Sequence, residues 1–220
     1  MSNHRDTTIG ILGSGRVGTA LARQALKAGY QVRIATAKPA AENALLVDIV
    51  TPGAVAVESS QAAASDLVVL AIPLHKYRTL NPHELAGRIV IDAMNYWAPI
   101  DGVFDDFESD PRTTSEVVEG FLLNARVVKS LNHIGYHELE EDDKAAGDVT
   151  RRALALAGDD AEAKALVATF IDRLGYDAVD AGPLAAGRSF EPATEIFTGS
   201  HTAHQLVALI QKASPLADAA

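Results

Sequence analysis

Three glycines in Gly13-Ser14-Gly15-Arg16-Val17-Gly18 have the spacing of a turn that cradles the pyrophosphate of a dinucleotide. Gly13 would permit the tight bend, Gly15 the approach of a phosphate to the backbone, and Gly18 the close packing of the next helix on the strand. Free amides and a partial positive charge at the helix start would complete the anion site. Spacing alone is weak evidence, so the flanks matter. An apolar run, Thr8 to Leu12, precedes the turn, and a helix-period set, Val17, Leu21, Ala25 and Ala28, follows it. The alternative is a glycine-rich turn that holds nothing.

The next residues with chemical content stand at the end of the second strand, Gln31 to Ala35. A site for NAD places an acid here to accept from the ribose hydroxyls. This chain has Thr36, Ala37 and Lys38 instead, with no acid before Glu42. A hydroxyl and a cation suit a 2′-phosphate, so the expected cofactor is NADP(H), with Arg16 as a third candidate contact. In the competing reading Thr36 caps the following helix and Lys38 is a solvated charge.

Further candidates lie where the later strands end, because ligands of such sheets bind outside the strands' carboxyl ends. The run Asp66 to Ile72 stops at Pro73, so Ile72, Pro73 and His75 should border the cofactor, with His75 as wall or solvated residue rather than base. Arg88 to Asp92 leads into Met94, Asn95, Tyr96 and Trp97, a second wall. The Tyr96–Trp97 pair reads equally well as packing under a loop. Arg126 to Leu131 leads into Asn132, His133 and Ile134, the polar end where chemistry could occur. His201 and His204 could share a helix face, as could His133 and His137, but without supporting carboxylates no metal site is expected.

Around these residues the chain alternates strands and helices. Helices are expected at 40–49, 61–64, 113–123 and 162–174, a short strand at 54–57, and later strands at 152–158 and 177–180. The whole reads as α/β, a doubly wound Rossmann-type, mostly parallel sheet with a small C-terminal helical cap. Residues 1–183 would form the NADP-binding domain with its sheet extension, and 184–220 the cap and a frayed tail from Ser214. The acids at 105, 106, 108 and 110 read as a solvated loop. Glu138 to Lys144 reads as a mobile surface loop and candidate lid over the crevice.

Composition supports one sizeable core: 220 residues, 48% of them hydrophobic. Cysteine is absent, which excludes disulfides, thiolate metal sites and cysteine nucleophiles. The first residues lack the apolar core of a signal peptide and no run approaches a membrane span, so the expected location is cytoplasmic. A net charge of −10 argues against nucleic acid and anionic membranes as partners.

With these residues assembled, the chain resembles the NADPH-dependent oxidoreductases of the deazaflavin coenzyme F420, a fold shared with the reductase domain of the STEAP ferric reductases. Beyond the glycine turn, the particular matches are Val127 to Ile134, Ala157 to Asp160, and Asp180 to Leu184 with Arg188 and Glu191. The resemblance implies hydride transfer between a nicotinamide and a stacked deazaflavin, with ring positioning in place of an obligatory acid or base. It places Ser14, Arg16, Thr36 and Lys38 on the NADP phosphates, and Pro73, Asn132, His133 and Ile134 beside the nicotinamide. Thr194 joins His75, Tyr96 and Trp97 in the second-substrate pocket, and a homodimer is implied. The acidic stretch 138–143 would repel the phosphate and glutamate tail of coenzyme F420 if it lay near it.

Two other readings compete. One keeps NADPH and passes the hydride to a flavin, a quinone or a small carbonyl or imine compound. The other is an NADPH-binding protein without turnover, motivated by the lack of an acid–base pair.

Overall fold

The computed structural model describes residues 7–213. Eight strands form one sheet: β1 (Thr8–Leu12), β2 (Gln31–Ala35), β3 (Val55–Ala56), β4 (Leu67–Leu70), β5 (Ile89–Asp92), β6 (Arg126–Ser130), β7 (Ala153–Gly158) and β8 (Asp177–Asp180). Their order is β3-β2-β1-β4-β5-β6-β7-β8, and every neighbouring pair is parallel except β6–β7. The doubly wound sheet expected from the sequence is therefore present, with one reversal.

The helices are α1 (Arg16–Lys27), α2 (Ala40–Val50), α3 (Ser59–Ala63), α4 (Pro82–Leu85), α5 (Ala98–Asp101), α6 (Asp105–Glu108), α7 (Thr114–Leu122), α8 (Glu138–Glu141), α9 (Ala161–Arg173), α10 (Glu195–Thr198) and α11 (Ala203–Ala213). Two 3-10 segments, Leu74–Thr79 and Leu184–Phe190, complete the set. Local chemistry sets several boundaries. Thr113 and Glu116 form a reciprocal capping box that starts α7. Asp160 caps α9 by accepting the Ala163 N–H at 2.8 Å.

Both faces of the sheet are covered, which explains why the central strands are apolar without alternation. Ile9, Ile11, Val69 and Ile91 pack toward α1 and α9, meeting Leu21, Ala25 and Phe170. Leu12, Val68, Leu70 and Val127 face the opposite side, where Ala62 of α3, Val118 of α7 and Tyr77 close the layer. Each such fully buried aliphatic side chain contributes about 1.5–3 kcal/mol relative to its exposed state. A third cluster joins β7 and β8 to Phe190, Ile196 and Leu206.

Two expectations need correction. The segment 138–143 is not a mobile loop. Glu138–Glu141 is a helical turn with Leu139 buried under it. Arg23 pairs with Glu140, Lys27 with Asp143, and Arg152 with both Glu138 and Asp142, while the Tyr176 hydroxyl donates to the Glu138 and Leu139 carbonyls. Four of its five acids thus have cations drawn from α1 and the start of β7, partners invisible to a local reading. Three of the four acids at 105–110 are likewise engaged: Asp106 accepts from Tyr77 and Arg78, Glu108 from Tyr96, and Asp110 pairs with Arg112, while Asp105 is exposed. The stretch expected as tail, 214–220, lies outside the described residues. No described helix is long and apolar enough to cross a membrane.

Candidate functional site

The glycine turn joins β1 to α1 at the carboxyl edge of the sheet, and its glycines meet three different surroundings. Gly13 has φ +124°, and a side chain there would run into the Ala71 carbonyl while standing 3.2 Å from the Ile72 nitrogen. The turn is thus pressed against the end of β4, which brings Ile72 to its side. At Gly18 a Cβ would strike the Gly13 carbonyl, so a bare Cα lets α1 close on the turn. Gly15 differs from both: nothing lies within 4 Å of a Cβ built on it. As the residue before α1 it offers no side-chain cap, so the first amides of the helix have no such partner at this end. Open space and unpaired donors together form a cradle that an anion can fill.

Ser14, Gly15, Arg16 and Thr19 line a cavity of about 300 Å³ against Leu46, Val47 and Val50 of α2. Arg16 reaches the other way, donating to the Tyr136 hydroxyl at 3.2 Å with its guanidinium 5.6 Å from that ring. Val17 lines the cavity on that side. At the end of β2 the Thr36 hydroxyl accepts the Lys38 N–H at 3.1 Å and an Asn43 amide hydrogen at 2.6 Å. It therefore shapes the 36–39 turn, as the competing local reading holds, although Pro39 rather than Thr36 is the residue before α2. Lys38 is exposed on that turn.

Across the sheet, β5 and β6 end in a buried polar network. The Asn95 side chain donates to the Asn132 carbonyl at 2.7 Å, and the Asn132 amide returns a bond to Asn95 Oδ1 at 3.1 Å while also donating to the Phe190 carbonyl at 2.9 Å. His133 is buried against the Phe190 ring, with centroids 5.0 Å apart. Its Nε2 accepts the Ala155 N–H at 2.9 Å and its Nδ1 lies 3.2 Å from Asn132 Oδ1, which fixes a neutral ring protonated at Nδ1. Burial and the nearby Arg152 push its pKa down to about 3. Immediately before Asn132, Leu131 sits at φ +63° although buried, a backbone conformation unfavourable for a leucine.

Above this network is a cavity of about 340 Å³ that Asn95, Asn132, His133 and Ile134 share with Tyr136, Arg152 and the 197–200 segment. Tyr136, Arg152 and Phe197 to Ser200 were not singled out from sequence. Arg152 had a faint signal, a charge directly ahead of an apolar strand; for the others the placement depends on the β6–β7 reversal. The structure does not add the remaining candidates to this group. The His75 ring stacks on Phe104 at 5.5 Å and 9°, with Nδ1 3.8 Å from Asp101. The Tyr96 hydroxyl bonds Gly102, Phe104 and Glu108, which is the packing alternative, and Trp97 is 54% exposed. Pro73 is an exposed residue ahead of the 3-10 segment. Thr194 caps α10 and lines a separate apolar cavity of about 880 Å³ beside Leu209 and Ile210 of α11.

This doubly wound sheet, with an anion cradle at its first crossover and a polar cleft over the ends of β5 and β6, is similar to the NADP-dependent oxidoreductases. Residues 8–96 match the family described as NADP oxidoreductase coenzyme F420-dependent. A hypothetical protein from Sinorhizobium meliloti is similar to it with 26% identity and a TM-score of 0.75, covering 90% of this chain and 95% of that one. A candidate F420-dependent NADP reductase from Arthrobacter sp. FB24 also shows 26% identity, with a TM-score of 0.70 over 84% of this chain and 88% of that one. Metalloreductase STEAP3 of Rattus norvegicus is 25% identical over 185 residues, 83% of this chain. The chain spans only 35% of the length of that relative.

Proposed function

We infer that the protein transfers a hydride between NADP(H) and coenzyme F420. The observation that carries the cofactor half is the glycine turn, sealed at Gly13 and Gly18 and open at Gly15. That is the one position of the three where a side chain would collide with a ligand and with nothing of the protein. Ser14, Gly15 and Arg16 would then hold the pyrophosphate, and Lys38 and Thr36 the 2′-phosphate. The nicotinamide would lie toward Ile72, Asn95, Asn132 and Ile134. NADPH supplies the hydride; the chain supplies position. His133 is neutral, its Nδ1 proton engaged by Asn132 and its Nε2 by the Ala155 N–H, so it delivers no proton to the cleft and acts by keeping Asn132 in place.

Support for the acceptor comes from the family match and from the Arthrobacter relative's name. The structure also weakens an objection to it, since Glu138, Glu140, Asp142 and Asp143 are all ion-paired and present less uncompensated charge to an anionic tail. The test is NADPH mixed with coenzyme F420 and purified protein. Bleaching of the deazaflavin absorbance is expected, and its absence, with NADPH oxidised by a flavin, quinone or imine instead, would overturn the acceptor. A homodimer in the cytoplasm belongs to the same reading, and light scattering at micromolar concentration tests the dimer.

A further inference from the structure

Directly beneath the cleft two charged side chains have no exposed surface at all: Lys129 of β6 and Asp92 of β5. The Lys129 ammonium donates to the Met94 carbonyl at 2.5 Å and stands 3.5 Å from Asp92 Oδ2. The other Asp92 oxygen accepts the Met94 N–H at 2.9 Å, and Oδ2 accepts the Ser115 hydroxyl of α7 at 2.6 Å. One ion pair therefore holds both polar backbone groups of Met94. The next residue is Asn95, whose side chain exchanges two hydrogen bonds with Asn132 at the cavity wall.

Stability gives no reason for this pair. Its neighbours on the two strands are Val90, Ile91, Val127 and Val128, all buried, and two apolar side chains of similar volume would suit such surroundings without the cost of desolvating two charges. An apolar pair could not, however, grip an N–H and a C=O in fixed directions. The chain also closes on the lysine stem from the far side, since a Cβ at Gly187 would stand 3.2 Å from Lys129 Cγ. Two residues beyond Lys129, Leu131 holds its positive φ, so the backbone entering Asn132 needs support from its surroundings.

We propose that the Asp92–Lys129 pair is a positioning device for the nicotinamide wall: it fixes the Met94 peptide, and through it the Asn95–Asn132 exchange, so that the ring sits at one depth in the cleft. The proposal rests on the reading that the cleft takes NADP(H). Neither residue touches cofactor or acceptor, and both act through Met94.

The experiment compares wild type with the double variant Asp92→Asn/Lys129→Met, using NADPH and adenosine 2′,5′-bisphosphate, which lacks the nicotinamide half. The double variant is expected to unfold cooperatively and to bind the bisphosphate within about twofold of wild type. NADPH binding should weaken by about tenfold or more, bound NADPH fluorescence should move toward that of the free cofactor, and kcat should fall by about 10–100-fold, the scale of a slight misplacement. Lys129→Met alone, with Asp92 left unpaired, should melt below the double variant. Asp92→Asn alone, which keeps an acceptor for the Met94 N–H, should lose less than the double. Wild-type NADPH affinity and emission in the double variant would overturn the proposal, as would parallel losses of both ligands. A wild-type chain that binds neither ligand refutes the cofactor reading and this proposal with it.

Discussion

Replacing Gly15 by alanine adds a methyl group to space that no protein atom approaches within 4 Å, in a backbone with φ −73° and ψ −174° that any residue adopts. Losing glycine from the position before the helix costs about 1 kcal/mol in capping preference. Stiffening the unfolded chain returns about 0.4–1 kcal/mol. The ligand-free protein should therefore melt within about 2–4 °C of wild type, the shift that about 1 kcal/mol produces in a chain of this size. NADPH binding should behave differently. If the methyl group keeps the pyrophosphate from two helix amides, and each charge-assisted bond is worth about 1.5–3 kcal/mol, the loss is about 3–6 kcal/mol. That is roughly a 10²–10⁴-fold rise in Kd. Gly18→Ala is the internal control, because its methyl strikes the Gly13 carbonyl and should cost about 1–3 kcal/mol of stability with no ligand present. Calorimetry with NADPH and thermal unfolding without it separate the two. A Gly15→Ala protein that melts normally and binds NADPH within about tenfold of wild type would refute the cradle.

Three further outcomes are expected. Lys38→Ala should weaken NADPH at least tenfold more than NADH in the same titration, because on the proposed placement this exposed cation would meet the 2′-phosphate alone. For His133, the folded pKa of about 3 lies below the ordinary 6.5. The unfolded chain therefore binds the extra proton first as pH falls, and stability declines from about pH 6.5 toward 3 by up to about 1.4 kcal/mol per pH unit. Urea unfolding at about pH 7 and about pH 5 should show this slope in wild type and a flatter one in His133→Gln. Arg152→Met removes the buried guanidinium that ties Glu138 and Asp142 to the cleft, and should cost about 1–3 kcal/mol, with new protease cuts between 136 and 144.

The geometry of the glycine turn was legible because it is local. The turn, the strand before it and the helix after it are contiguous, and Gly13, Gly15 and Gly18 each announce a geometric demand at their own position. Strand cores such as Leu67 to Leu70 were equally plain, since burial on both faces leaves an uninterrupted apolar run. The cleft over the ends of β5 and β6 was less legible. Tyr136 and Arg152 line the cavity, and four of the 138–143 acids are paired, through contacts that local spacing does not announce, some across more than a hundred positions, as between Arg23 and Glu140. Tyr96 shows the same limit in reverse: its aromatic neighbours Phe104 and Phe107 are close in sequence, and they draw it into packing beside the cleft.

The reversal between β6 and β7 has a consequence for how such a site can be altered. Because β7 runs antiparallel to β6, the chain leaves the carboxyl rim at Leu131 and re-enters the sheet at the same rim at Ala153. Everything between is a single excursion on one side of the molecule, with no crossover to the opposite edge. This excursion carries Asn132, His133, Tyr136 and Arg152, yet the glycine turn and the β2 terminus lie outside it. It is held to the first helix at three points, where Arg16 donates to Tyr136, Arg23 pairs with Glu140 and Lys27 pairs with Asp143. A change within 135–151 therefore reaches both the outer wall of the cleft and the helix behind the glycine turn, whereas the stretch 144–150, which makes none of these three contacts, is the part that can vary without disturbing them.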